Sequence, residues 1–210
     1  MTTETATQIL HATHSALCKH GYAELTMQDI ADETDLCKAS IHYHYDGKHD
    51  LLVAYLDHLY EQFEDRIAEP AGETPAERLR GLVGALVTNR SDAPAFQTAL
   101  LEIKAQSPYD DAFRSRLQRF DDAFTAAVRE VVAEGVADGT FHEEIDPDAV
   151  ASFLTTYVNG AQTRHAAVGH PLDDSAAAVD AYIDGALRAD QTASTGDGPP
   201  SETANVGGTE

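Results

Sequence analysis

Lysine is nearly missing from this chain. Four of its 210 residues are lysine and ten are arginine, against 36 aspartates and glutamates, for a formal charge of −22 at pH 7. Tryptophan is absent, and the only cysteines are Cys18 and Cys37. Two cysteines do not make a disulfide framework, which fits a reducing compartment. No apolar run approaches the ~18 residues that suggest a membrane span. The opening MTTETATQ lacks the basic and apolar regions of a signal peptide. These absences predict a cytoplasmic protein with no membrane partner. Chemistry-bearing motifs are missing as well: there is no phosphate loop, no nucleophile–base pair and no tight metal-ligand set. The expectation is a protein that is not an enzyme and holds no cofactor and no metal.

What is present is acid and helical periodicity. The hydrophobic fraction of 42% suits a globular fold. The acidic residues are spread along the chain instead of collected in a tail, so they describe a whole surface. Together with Arg over Lys and abundant Ala, Val, Asp and Glu, they suggest adaptation to very high salt. There the Debye length falls to ~3 Å and self-repulsion is tolerable. An acidic surface that docks basic partners is the competing reading.

Apolar residues recur at intervals of three and four throughout, without convincing alternation, so an all-α fold of about nine helices is expected. The first runs from about Glu4 to His20 with Gly21 as its stop. Short helices follow Thr26, as its cap, and cover about Cys37 to Tyr43. Longer ones span about Lys48–Ile67, Pro75–Asn89, Pro94–Gln106 and Tyr109–Asp138. Asp146 and Pro147 open the eighth, and about Asp173–Ala189 is the last. Residues 190–210, DQTASTGDGPPSETANVGGTE, are expected to be a disordered tail.

The stretch LCKASIHYHYDGKHDLL, Leu36–Leu52, concentrates Cys, Lys, His and Tyr. Two short helices separated by TDL after a longer first helix have helix-turn-helix proportions. Ile30, Ala31, Leu36 and Ile41 would pack them together. That leaves Lys38, Ala39, His42 and Tyr43 outward, with Ser40 near the helix start. Small Ala39 and Ser40 would let base edges approach, and His42, Tyr43 and His44 offer donors.

The segment GYAELTMQDIADETDLCKASIHYHYDGKHDLL, Gly21–Leu52, resembles the tetracycline-repressor (TetR/AcrR) family. It carries the Gly-Tyr stop, the Thr-x-x-Asp-Ile-Ala second helix, the Lys-small-Ser-aliphatic recognition helix and an aromatic before Gly-Lys. By that resemblance Thr26, Gln28, Lys38, Ser40, Tyr43, His44 and Lys48 occupy DNA-contacting positions. His42, Cys37, Ala39 and Asp35 depart from the usual pattern. The resemblance, loosely BetI-like over the C-terminal part, implies three segments: a DNA-binding domain at 1–47, a helical regulatory and dimerisation domain at 48–189, and the tail. Its partners would be double-stranded DNA, a small-molecule effector and a second copy of the chain. A ligand-responsive homodimeric repressor on a palindromic operator is therefore expected. The alternative is an acidic interaction module with a degenerate DNA-binding head.

For the effector, the resemblance puts a pocket among Phe96, Leu100, Phe113, Leu117, Phe120, Phe124 and Tyr157, although such a stripe is usually core. Glu102 and Gln162 are candidate polar groups, and a buried Glu102 would favour a cationic ligand. Val150, Phe153, Leu154, Tyr157, Gly160, Ala161, Val179, Tyr182, Ile183 and Ala186 give the last two helices more apolar surface than a solvent-edge helix needs. A symmetric four-helix interface would use it. His14 and Cys18, four apart, raise a metal reading, and Cys37 at a helix start raises oxidant sensing; a small capping thiol is the plainer role. Residues 1–50 hold three Lys and no Arg against eight acids. Counterion release on DNA should be small, with a shallow or reversed salt slope.

Overall fold

The computed structural model describes residues 3–87 and 93–189. The expected helix end at Asn89 and the expected tail at 190–210 lie outside them. Among the described residues are nine α-helices and no strand: α1 Thr3–Glu24, α2 Met27–Asp32, α3 Lys38–His44, α4 Lys48–Ala68, α5 Pro75–Val87, α6 Ala93–Gln106, α7 Asp111–Ala137, α8 Pro147–Val168 and α9 Leu172–Tyr182. A single π-helical turn, Ile183–Leu187, extends α9.

Local chemistry sets most of the helix starts. Thr26 and Asp29 form a capping box on α2, each side chain bonding the other's backbone amide. On α5, Thr74 Oγ1 accepts from the Glu77 amide at 3.2 Å while Glu77 Oε2 accepts from the Thr74 amide at 3.1 Å. Asp110 Oδ1 accepts from the amides of Ala112 (2.9 Å) and Phe113 (3.0 Å) to start α7. Asp146 does the same for α8, with Pro147 as first residue. Gly21 is the one surprise in this set. It adopts the left-handed φ of 71° expected of a stop, yet the chain resumes for another turn to Glu24, so α1 is kinked there.

Two hydrophobic cores result. The head core joins Ile9, Leu17, Ile30, Ile41, Leu51 and Tyr55 to Ala99, Ile103 and Phe113 from α6 and α7. The body core runs from Tyr60 and Phe63 through α5, α7, α8 and α9. Helix α4 belongs to both: Leu51, Leu52, Tyr55 and Leu56 face the head, and Tyr60, Phe63 and Ile67 face the body. The boundary drawn between residues 47 and 48 therefore separates helices but not cores. At the far end Phe141 is buried against Gly135, where any β-carbon would collide with its ring. Phe141 and Arg188 form an isolated bridge that ties the end of the chain to the loop after α7. No helix among the described residues is long and apolar enough to cross a membrane.

Candidate nucleic-acid interface and effector cavity

Helix α3 is held by one deeply buried residue, Ile41, and presents the rest of its length to solvent. Lys38, Ala39 and His42 are exposed, and Tyr43 is 85% exposed, its ring edge against His44 at 5.3 Å. Four of the sequence-predicted residues are engaged within the chain. The Thr26 hydroxyl donates to Asp29 Oδ2 at 2.7 Å and accepts from the Asp29 amide. The Gln28 amide bonds Asp32 Oδ1 at 2.8 Å. Ser40 Oγ lies 3.3 Å from Cys37 Sγ, and that hydrogen bond lowers the thiol's pKa at an exposed helix cap. Lys48 Nζ donates to the Tyr22 carbonyl at 2.8 Å and sits over the Tyr22 ring. The cationic inventory of the head is thus shorter than its composition: Lys19 pairs with Glu33 at 2.6 Å, Lys48 faces backbone carbonyls, and Lys38 has no ion-pair partner among the described residues.

Sequence reasoning missed what grips Tyr22 from the other side. Glu102 of α6 accepts a 2.5 Å hydrogen bond from the Tyr22 amide, next to the Gly21 kink. One residue, Tyr22 near the end of α1, is therefore held by the body through Glu102 at its amide and by the start of α4 through Lys48 at its carbonyl. Phe113 closes the same junction, edge-on to Tyr22 at 6.1 Å and 5.1 Å from the His49 ring. His49 bonds the Asp110 cap at 2.7 Å. Glu102 and Phe113 are thereby corrected: both were expected in the pocket, and both belong to the junction between head and body.

The pocket itself is a cavity of about 920 Å³ bounded by α1, α4, α5, α6, α7 and α8. Phe96, Leu100, Leu117, Phe120 and Phe124 line it, and so does Gln162, which donates to the Leu86 carbonyl at 3.1 Å. Tyr157 does not line it. Its hydroxyl donates to the Ser175 carbonyl and its ring faces Phe153 at 6.1 Å on the α8/α9 side. The head reaches the cavity through Leu10, His11, His14 and Ser15 of α1. There His14 Nδ1 and the buried Tyr55 hydroxyl share a 2.6 Å hydrogen bond, and burial pushes the Tyr55 phenol up and keeps it protonated. His14 Nε2 lies 3.7 Å from Cys18 Sγ. No group of three His, Cys, Asp or Glu at metal-binding spacing occurs among the described residues. The remaining addition is Lys104 of α6, an ammonium on the cavity wall. Among the described residues its side chain has one hydrogen-bond partner, Asn159 Oδ1 at 3.1 Å. Burial pushes it below the ordinary lysine range, partly opposed by Asp121.

The last two helices also divide differently from expectation. Val150, Leu154, Ala161, Val179 and Ile183 are buried in the chain's own body core, so they have no surface to offer a second subunit. Phe153 (47% exposed), Gly160 and Ala186 face outward, with half-buried Tyr157 and Tyr182 beside them; the rings of Phe153 and Tyr182 are 4.9 Å apart.

A family model for bacterial regulatory proteins of the tetR family matches residues 9–55, and one described as BetI-type transcriptional repressor, C-terminal, matches residues 75–188. A TetR transcription regulator from Haloarcula marismortui superposes with a TM-score of 0.82 at 35% identity, over 88% of this chain and 99% of that one. A transcriptional regulator from Saccharomonospora viridis, solved in complex with choline, shares the fold at 23% identity with a TM-score of 0.78, over 89% and 99% of the two chains. The transcriptional regulator TtgR of Pseudomonas putida is 29% identical over 165 residues, 75% of this chain and 78% of that protein.

Proposed function

The chain belongs to the TetR family of helix-turn-helix transcriptional regulators, and on that premise we propose that it is a homodimeric repressor released from its operator by a small molecule in the cavity. The observation that carries this reading is the cavity's position. Its walls include α1 of the head and α6, α7 and α8 of the body, so an occupant touches both parts at once. A ligand shifts the DNA-binding equilibrium only by the difference in its affinity for the two arrangements. A site walled by both parts is where that difference arises. Helix α4, shared by the two cores, and the Tyr22 grip by Glu102 and Lys48 are the routes through which the body repositions α3.

The exposed strip of Phe153, Tyr157, Gly160, Tyr182 and Ala186 serves as the dimer face, pairing α8 and α9 with the same helices of a second copy. Two α3 helices then enter successive major grooves of a palindrome with half-sites ~34 Å apart. Tyr43, His42, Lys38 and Ala39 are the residues that meet DNA, and Ser40, His44, Thr26, Gln28 and Lys48 lie at the edge of that surface. The protein works in the cytoplasm, at high salt.

The test is retention of genomic fragments by the purified full chain at molar KCl, followed by footprinting. A palindromic footprint that disappears with Tyr43→Ala supports repression through α3. Absence of sequence-selective retention would overturn the reading and leave the acidic interaction module in its place.

A further inference from the structure

We propose that the cavity selects an anionic effector with an apolar body, whose acidic head group binds at Lys104. The proposal rests on reading the cavity as the effector site, and it names the chemistry that site would take.

Arg66, Arg114, Asp121 and Asp122 also line the cavity but are exposed to solvent, so Lys104, the charged member of the lining that is not, decides the sign. An ammonium has three N–H donors, and among the described residues a neutral amide oxygen, Asn159 Oδ1 at 3.1 Å, is the one acceptor it meets. No carboxylate of the described residues lies within ion-pair distance. Asp121 acts indirectly: its Oδ1 accepts from Asn159 Nδ2 at 3.1 Å, so Asn159 stands between the acid and the amine. Asp121 itself is exposed to solvent, where its field is screened. In a chain of net charge −22, a half-buried lysine on a cavity wall with no carboxylate at ion-pair distance among the described residues is a departure from the surrounding composition. Helix α8 fixes Asn159 through Thr155, whose carbonyl accepts from the same Nδ2. The acceptor beside Lys104 is thus oriented by packing and would stay in place when an anion arrives.

The rest of the wall fits the other end of such a molecule. Phe96, Leu100, Leu117 and Phe120 supply apolar surface, and about 920 Å³ is at the roomy end of the ~300–1,000 Å³ typical of small-molecule sites. A cationic effector, which a pocket Glu102 would have favoured, finds only the solvent-exposed Asp121 and Asp122 on the lining, because Glu102 faces Tyr22 instead.

The probe pair is 1-anilinonaphthalene-8-sulfonate and N-phenyl-1-naphthylamine, the same aromatic body with and without an anionic group, read by fluorescence on the full chain. Lys104→Met should weaken the sulfonate probe about tenfold or more, as loss of a charged hydrogen bond does, and leave the neutral probe within twofold. Lys104→Arg should retain the preference, which separates charge from shape. Decanoate should displace the sulfonate probe and decyltrimethylammonium should not. Thermal melts of both variants show whether they fold; if Lys104→Met does not, the competition between decanoate and decyltrimethylammonium on the unmodified chain decides. Equal effects of Lys104→Met on both probes, or displacement by the cation alone, would overturn the proposal. DNA retention without ligand is measured in parallel. If it fails while anion selectivity stands, the repressor reading falls and the ligand class survives; the reverse outcome isolates the error to the ligand class.

Discussion

Salt is the perturbation that separates this head from an ordinary DNA-binding domain. Each neutralised phosphate contributes about −0.9 to the slope of log K against log salt concentration. The head offers few cations for that purpose: Lys19 is tied to Glu33 at 2.6 Å, Lys48 to the Tyr22 carbonyl at 2.8 Å, and only Lys38 of its three lysines is exposed without an ion-pair partner among the described residues. One ammonium per subunit, two per dimer, gives a slope of about −2. Raising KCl from 50 to 200 mM then weakens operator binding about tenfold, where a protein with 6–10 phosphate contacts loses about 10³–10⁵. The measurement is fluorescence anisotropy of a labelled operator duplex from 50 mM to 2 M KCl at pH 8. Lys38→Gln should flatten the curve toward zero slope. A slope steeper than about −5 would refute the counting, because the Lys48 contact or other cations would then have to rearrange onto phosphate.

Three further outcomes follow from local geometry. Tyr43→Ala should lower operator affinity about tenfold, in the ~1–3 kcal/mol range of a base contact, while unfolding stability stays within about 0.5 kcal/mol, as for other exposed side chains; unchanged affinity would remove Tyr43 from the interface. Gly135→Ala should destabilise the fold by about 1–3 kcal/mol through overpacking, seen as a lower urea midpoint, because the buried Phe141 ring has nowhere to move. The Asp110 carboxyl is held below its usual range first by the Phe113 amide, opposed by burial, and further by His49 and the Ala112 amide. Its contribution is present above the unfolded pKa of ~3.9 and is lost as pH falls through the folded value. Asp110→Ala should therefore cost about 1 kcal/mol at pH 7 and progressively less below pH ~4, measured by urea unfolding at both ends.

Helix existence and most helix starts were readable because their signals are local. Thr26 with Asp29, Thr74 before Pro75, and Asp146 before Pro147 each fix a start within four residues. The outward face of α3 was readable because the helix needs little more than Ile41 for the core, so its other residues fall outward. Assignments that depend on which of two apolar surroundings a face meets were not readable. Helix α7 carries Phe113, Leu117, Phe120 and Phe124 on a single stripe, yet Phe113 enters the head core and Leu117 and Phe120 reach the cavity. Periodicity gives the face and says nothing of what lies opposite. The same ambiguity placed Leu154, Val179 and Ile183 on a dimer surface instead of in the body core. Lys104 was invisible for a different reason. A single lysine on an amphipathic helix reads as solvent-facing, and only the cavity beside it shows otherwise.

The hold on Tyr22 is made with main-chain atoms, an amide to Glu102 and a carbonyl to Lys48. Every amino acid except proline carries both groups. The two hydrogen bonds at the joint therefore ask for Glu102 and Lys48 but nothing of the side chain at position 22, and nothing of the outward residues of α3. Grafting a foreign set of side chains onto the outward positions of α3 should redirect which genes obey the signal while the signal itself stays the same, which makes this chassis suited to rewiring.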